Sequence, residues 1–503
     1  MKEGAGDSRN KPSAPASIAL AALGAGVVAG LLLVGLPPGV NWLLVAAAVA
    51  AAVVSVAWRR ALPANALTFG ALSLALTATA VHTAAVWQLV LNLIVALGLA
   101  SLAVAPARTW TEFILGFGAA GWRTPAALAW LLRVRHRGPA GEAASVTLRL
   151  ARGFVLGGFL LVVFGALFAS ADQAFAQVAD RILAAADVRY DLLPARFMVA
   201  GTVALFTAAL ASFTPAFGVG RGGPTEWVAG LRAEFGEPRK RQLGRTEWIT
   251  ALSMLDALFV LFVVVQITVL FGGREHVLDT SELTYAEYAR SGFFQLVTVA
   301  ALTLLVLGFF ARHAQRARSH DLLLLKILGG VLVALTLVVL ASALKRLSLY
   351  EEVYGFTRLR LVVHAAILWL AAMFGIVAVA GIRSNPRWVP RAVVVVSTLS
   401  LLVFTLIRPD AFIAARNVER FRETGRIDLP YLGALSPDAV PALATLPEPE
   451  RSCALVSLRH ELSETESLWS LNLARDTARE VLNNTPQSTS ALQNCPIARR
   501  IET

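Results

Sequence analysis

Thr284-Tyr-Ala-Glu-Tyr-Ala-Arg-Ser-Gly-Phe-Phe opens the stretch that decides the fold, and Leu349-Tyr-Glu-Glu-Val-Tyr-Gly-Phe-Thr-Arg-Leu-Arg closes it at Arg360. Between these polar pieces lie two apolar runs separated by a short loop carrying Arg312, Arg316 and Arg318. About 20 helical residues cross the roughly 30 Å of hydrocarbon in a bilayer. The order polar, apolar, basic, apolar, polar therefore reads as a membrane hairpin with both polar ends on one side. Basic loops stay preferentially in the cytoplasm during insertion, which places Thr284 and Arg360 outside.

The same alternation runs through most of the chain. Hydrophobic residues make up 56% of the 503 residues and charged ones 16%, against about 25% charged in a soluble protein. The mean hydropathy is +0.64. The chain thus reads as all-α, a polytopic transmembrane bundle of about eleven spans with a small helical extracytoplasmic C-terminal domain. The net charge of +12 follows from arginine-rich inner loops, and no basic helix with interleaved aromatics suggests nucleic-acid binding.

Residues 1–16 form a basic, Ser/Gly/Pro-rich tail, read as disordered, and residues 17–407 form the bundle. Ser17–Leu36 is the first span, longer than a signal-peptide core and read as retained. Gly26 and Gly30, four apart, suit close helix packing. Gly39–Ala57 is the second span, and residues 64–105 divide near Val86-Trp87-Gln88 into a hairpin. In the following basic loop Trp110, Phe113, Ile114 and Phe117 recur at i, i+3, i+4, i+7. That spacing predicts a cytoplasmic amphipathic helix near 108–120, lying along the headgroups or docked on the bundle.

Leu150–Ser170 and Phe197–Pro215 are the fifth and sixth spans. Trp248–Phe271, Phe293–Ala311, Leu322–Leu344, Leu361–Ile382 and Ala392–Ile407 complete the count, with the N-terminus inside and residues 408–503 outside. Pro409–Glu423 is expected to continue the last span outward. Cysteine supplies an independent check on the topology. Both cysteines, Cys453 and Cys495, fall in the terminal segment, and disulfides persist in oxidising compartments. All six tyrosines also fall in expected outer loops.

Several groups could carry chemistry. Thr284-x-x-Glu287 has the capping-box pattern, so a helix beginning there would lift Tyr285, Tyr288 and the Glu287–Arg290 pair above the membrane. Tyr350, Tyr354 and Arg358 repeat every four residues, making a second polar face with Glu351 provided that Gly355 does not break the helix. Together they form either an outward pocket or an interfacial collar joining two hairpins. Glu351, Glu352 and the acids of Gly272–Gln295 are the expected partners of the basic residues in the second cap. Asp256 and Gln266 lie within the seventh span, where a charge needs polar company. They read as an ion path or as interhelical hydrogen bonds. His82 and His364 read as lone packed histidines. No P-loop, zinc-ligand spacing, nucleophile elbow or cofactor fingerprint occurs in the chain.

Phe168-Ala-Ser-Ala-Asp-Gln-Ala-Phe, Thr284-Tyr-Ala-Glu-Tyr-Ala-Arg, the Leu349–Arg360 cap and Arg408-Pro-Asp-Ala-Phe-Ile-Ala-Ala-Arg-Asn form a further pattern. With the run from Leu258 to Gly273, they resemble an uncharacterised bacterial multi-pass membrane family, domain of unknown function 4173, related to the 4153 group. The resemblance spans Arg152 to Leu443. It implies a bacterial plasma-membrane protein, and it brings no catalytic residue, metal or cofactor. Three readings follow: a non-enzymatic envelope protein binding a partner through 408–503; a secondary transporter using Asp256 and the outer Tyr/Glu/Arg caps; and a membrane-embedded transferase acting on lipid-linked substrates.

Overall fold

The computed structural model describes residues 16–57, 64–105, 107, 109–131, 192–212, 243–271, 293–315, 319–383, 386–463, 467–488, 492, 493 and 495. Among these residues the regular structure is helical, with one isolated bridge between Leu243 and Ala314. Seven helices are long and apolar enough to cross a membrane, and three shorter apolar helices accompany them. The expected fifth span, Leu150–Ser170, lies outside the described residues. The chain divides into two compact units, residues 1–234 with 463–477, and residues 235–462 with 478–503.

In the first unit α1 (Ala16–Leu33), α2 (Val40–Ala57), α3 (Ala64–Ala78), α4 (Val86–Val104), α5 (Trp110–Leu131) and α6 (Leu193–Ser212) pack together. Lipid is as apolar as leucine, so close backbone approach must hold such helices together. A Cβ on Gly26 would lie 2.3 Å from the Ala200 carbonyl oxygen, and one on Gly30 would lie 2.7 Å from that of Arg196. The Gly26/Gly30 face therefore seats α1 directly on the backbone of α6. Phe113 of α5 is buried and meets Phe69 edge-on at 6.0 Å. Phe117 of α5 covers Gly98, and Ser101 Oγ donates to the Gly116 carbonyl at 2.6 Å. This side of α5 docks on α3 and α4, while Trp110 and Ile114 stay exposed.

One polar clamp was not anticipated. Asn41 is fully buried between α1 and α2. Its Oδ1 accepts from the Gly39 and Trp42 amides, and its Nδ2 donates to the carbonyls of Leu32 and Pro37. One side chain thereby closes a helix start and a helix end whose backbone groups would otherwise be orphans.

In the second unit α7 (Arg245–Phe271), α8 (Phe293–His313), α9 (Ser319–Tyr354), α10 (Arg358–Arg383) and α11 (Val389–Leu406) surround a core of Trp248, Leu252, Phe259, Leu332, Leu340, Ile367 and Phe374. Arg245 Nε lies 2.9 Å from Asp321 Oδ1, and Trp248 Nε1 donates to the Gln315 carbonyl. These contacts tie the first turns of α7 and α9 to the basic loop after α8. α9 is longer than the expected Leu322–Leu344. Its 36 residues span about 54 Å at 1.5 Å each, well beyond the roughly 30 Å of hydrocarbon.

The short helices α12 (Pro409–Thr424), α13 (Leu429–Leu432), α14 (Val440–Leu443) and α15 (Glu450–Glu461) build a separate core from Ile413, Val418, Leu435, Val440, Leu455 and Leu458. The last helix, α16 (Leu473–Asn484), adds Ala478 and Leu482 to it. α12 does not continue α11, because Arg408 adopts a left-handed conformation (φ 53°) before Pro409 restarts the helix. Cys453 and Cys495 form a disulfide.

Candidate functional site

The second polar cap shows how the local sequence sets the site. Gly355, at φ +77°, ends α9, and α10 starts afresh at Arg358. The continuous Tyr350/Tyr354/Arg358 face is thus broken at the glycine. A Cβ at Gly355 would lie 2.4 Å from Asn417 Oδ1. Asn417, on α12, uses that space to read the exposed backbone: its Oδ1 accepts from the Phe356 amide at 3.2 Å and its Nδ2 donates to the Phe356 carbonyl at 2.9 Å. Arg420 adds a 2.6 Å bond to the Val353 carbonyl.

Beyond the turn, Arg358 makes a two-pronged ion pair. Its Nε donates to Asp410 Oδ1 at 2.9 Å and its Nη2 to Asp410 Oδ2 at 2.6 Å. Asp410 also accepts from the Ser436 amide at 2.9 Å. The Asp410 side chain is 0% exposed and that of Arg358 is 36% exposed. The Arg358 amide donates to Tyr431 Oη at 2.7 Å, so the guanidinium and the backbone of one residue hold two different parts of the C-terminal helices. Ser436 Oγ bonds Asp438, which lies 3.8 Å from Arg408.

Burial alone would raise the Asp410 carboxyl, but the Arg358 and Ser436 hydrogen bonds with the Arg358 charge outweigh it and hold the group below its ordinary value. Burial pushes the Tyr431 phenol up.

The remaining expected residues fall differently. Arg358 pairs with Asp410 rather than with Glu351 or Glu352, and the acids of 272–295 lie outside the described residues. Glu351 is buried, and its Oε1 lies 3.2 Å from His364 Nδ1, so His364 is not a lone packed histidine. Arg360 stacks its guanidinium 4.4 Å from the Tyr350 ring centre and donates to the Tyr354 and Gly355 carbonyls. The Tyr350 and Tyr354 rings lie 4.7 Å apart. Tyr285, Glu287, Tyr288 and Arg290 lie outside the described residues. Asp256 is buried on α7, and among the described residues neither carboxylate oxygen has a hydrogen-bond partner. Gln266 is on the same helix, with its side chain outside the described residues. Among the described residues, no group of three His, Cys, Asp or Glu could hold a metal ion.

Asp410 and Asn417 were missed as partners of the cap because Arg358 lies 52 residues from the one and Phe356 61 residues from the other. The available signals were the Arg408-Pro-Asp motif and Gly355 in a helical run. Chemically, the site is a closed lock: a buried carboxylate saturated by a guanidinium and an amide, and an asparagine reading a turn.

Among the described residues these features define an all-helical chain with helices long and apolar enough to cross a membrane and a polar lock between α9, α10 and the C-terminal helices. The chain belongs to the family described as Domain of unknown function (DUF4153), which it matches over residues 69–446. That range is wider than the expected Arg152–Leu443 and takes in the Gly355 turn, Arg358, Asp410 and Asn417. No curated protein and no solved structure matches the chain.

Proposed function

We propose that this chain is a bacterial plasma-membrane protein of about eleven spans whose C-terminal helices, outside the bilayer, bind an envelope protein partner in sensing or assembly. The Arg358–Asp410 lock carries this reading. It commits the most polar residues of the cap to holding α12 and residues 431–436 on the ends of α9 and α10, a holding role rather than a reactive one.

The orientation has separate support. The segment 467–477 bonds to the turn before α2 and to the turn between α3 and α4. Two helices separate those turns, so both belong on one face of the membrane, opposite the far end of α2, after which the sequence carries Arg59 and Arg60. The test has two parts. An impermeant thiol reagent on intact cells is expected to label Glu423→Cys and to spare Thr246→Cys until lysis. A photo-crosslinker at exposed Glu480 is expected to yield one discrete protein adduct. Reversed labelling overturns the orientation, and the absence of an adduct overturns the partner-binding role.

Asp256 favours a second reading, a transporter. It lies eleven residues into α7 from Arg245, about 16 Å along the helix axis, and a carboxylate at such depth, without a hydrogen-bond partner among the described residues, marks an ion or proton path by default. Proton flux in proteoliposomes that disappears in Asp256→Asn would support it, and equal flux would retire it.

A further inference from the structure

We propose that the tip formed by Leu468, Trp469, Leu471 and Leu473 dips into the outer leaflet and anchors the C-terminal segment to lipid. These residues are 86%, 57%, 38% and 50% exposed. Four large apolar side chains within six residues form a patch that soluble surfaces rarely show and that marks a partner or a membrane.

The backbone under the patch fixes its level. The Val40 amide, at the first residue of α2, donates to the Leu471 carbonyl at 3.1 Å. Gly39 lies so close that a Cβ there would be 2.4 Å from the Ser470 carbonyl oxygen. Asn472 is fully buried, and its Nδ2 donates to the carbonyls of Ala80 at 2.7 Å and Thr83 at 2.9 Å. Three residues after Thr83, α4 begins at Val86. That side chain is exposed and opens an apolar face continued by Val90, Ile94 and Leu97. The tip is thus bound to the ends of two apolar helices, at the level where the lipid-facing surface starts.

The residue types fit that level. Tryptophan is enriched at the membrane–water interface, where its ring sits among the headgroups, and leucines on either side supply buried apolar area. The tip is also preorganised: the Ser470 amide bonds the Ser467 carbonyl, and Ser467 Oγ accepts from the Trp469 amide. The polar side of the same segment faces protein, because Arg475 is buried and donates to the Ser470 carbonyl at 2.7 Å. Charge and amide are satisfied inward while the apolar side chains point out.

The proposal rests on the membrane reading given above and adds a specific lipid contact. The test uses the full chain in liposomes, with an environment-sensitive fluorophore on Trp469→Cys and, separately, on Leu468→Cys; the native cysteines are bonded to each other and do not compete. Emission is expected at short wavelength, quenched by nitroxide-labelled lipid and protected from aqueous iodide. Iodide quenching without lipid quenching at both positions overturns the proposal. Protection from both quenchers overturns it too, since a protein then covers the tip. Lipid quenching reports insertion into either leaflet, whereas the Glu423→Cys labelling reports sidedness. Failure of the lipid contact is therefore distinguishable from failure of the orientation.

Discussion

Replacing Arg358 by alanine should release the C-terminal helices from α10, and by more than replacing Asp410 does. Breaking a buried ion pair by removing one partner costs about 3–5 kcal/mol. Arg358 is 36% exposed, so water screens part of the interaction and about 2–3 kcal/mol is the better expectation. The two truncations are unequal. Arg358→Ala leaves a fully buried carboxylate held by the Ser436 amide, whereas Asp410→Ala leaves a guanidinium that can turn into water. The assay is hydrogen–deuterium exchange of the α12 amides in nanodiscs. At 1.4 kcal/mol per tenfold, Arg358→Ala should speed exchange roughly thirty- to a hundredfold.

The same pair sets a pH dependence. Asp410 is held below its ordinary value, so its stabilisation is complete above the unfolded value near 3.9 and is lost as pH falls through the lower folded value. Corrected for intrinsic exchange rates, acidification below about pH 4 should loosen α12 in the native chain. In Arg358→Ala burial dominates and the carboxyl rises, so acid should tighten α12 instead. Unchanged exchange in Arg358→Ala, or a larger effect from Asp410→Ala, would refute the reasoning.

Three further outcomes are expected. Gly355→Ala should cost about 1–2 kcal/mol from the left-handed backbone alone and more from displacing Asn417, seen as faster exchange at Phe356 and throughout α12. Reducing Cys453–Cys495, 42 residues apart, should remove about 3–4 kcal/mol on the chain-entropy account and expose α15 and α16 to limited proteolysis while α7 to α11 stay intact. Asp256→Leu should raise the thermal midpoint if the residue is structural, because an unbonded polar group is replaced by apolar packing worth about 1–3 kcal/mol. A lower midpoint would mean that the carboxyl has a partner.

The seven helices long and apolar enough to cross a membrane were legible because hydropathy decides them locally. The ends of α2, α7 and α10 fall within about three residues of the apolar runs, and Gly26 and Gly30 announced the close approach of α1 and α6. The candidate site was half legible. Gly355 signalled a break and Arg358 a charge needing a partner, but the choice among Glu351, Glu352 and Asp410 depends on how α12 returns beside α10. That return follows from the left-handed Arg408, a conformation which residue type does not announce. The extra length of α9 was hidden because Lys345 and Arg346 read as the end of the span. Asn41 and Asn472 look like ordinary turn residues until the carbonyls they bond are brought to them.

The Asn472 clamp sets an order of events during synthesis. Its partner carbonyl at Ala80 leaves the ribosome 392 residues earlier, so the turn between α3 and α4 waits, open, until those residues have been made. A protein truncated shortly before residue 470 would insert its helices yet leave those early turns unsealed, and quality-control proteases would meet the defect near the beginning of the chain rather than at the cut.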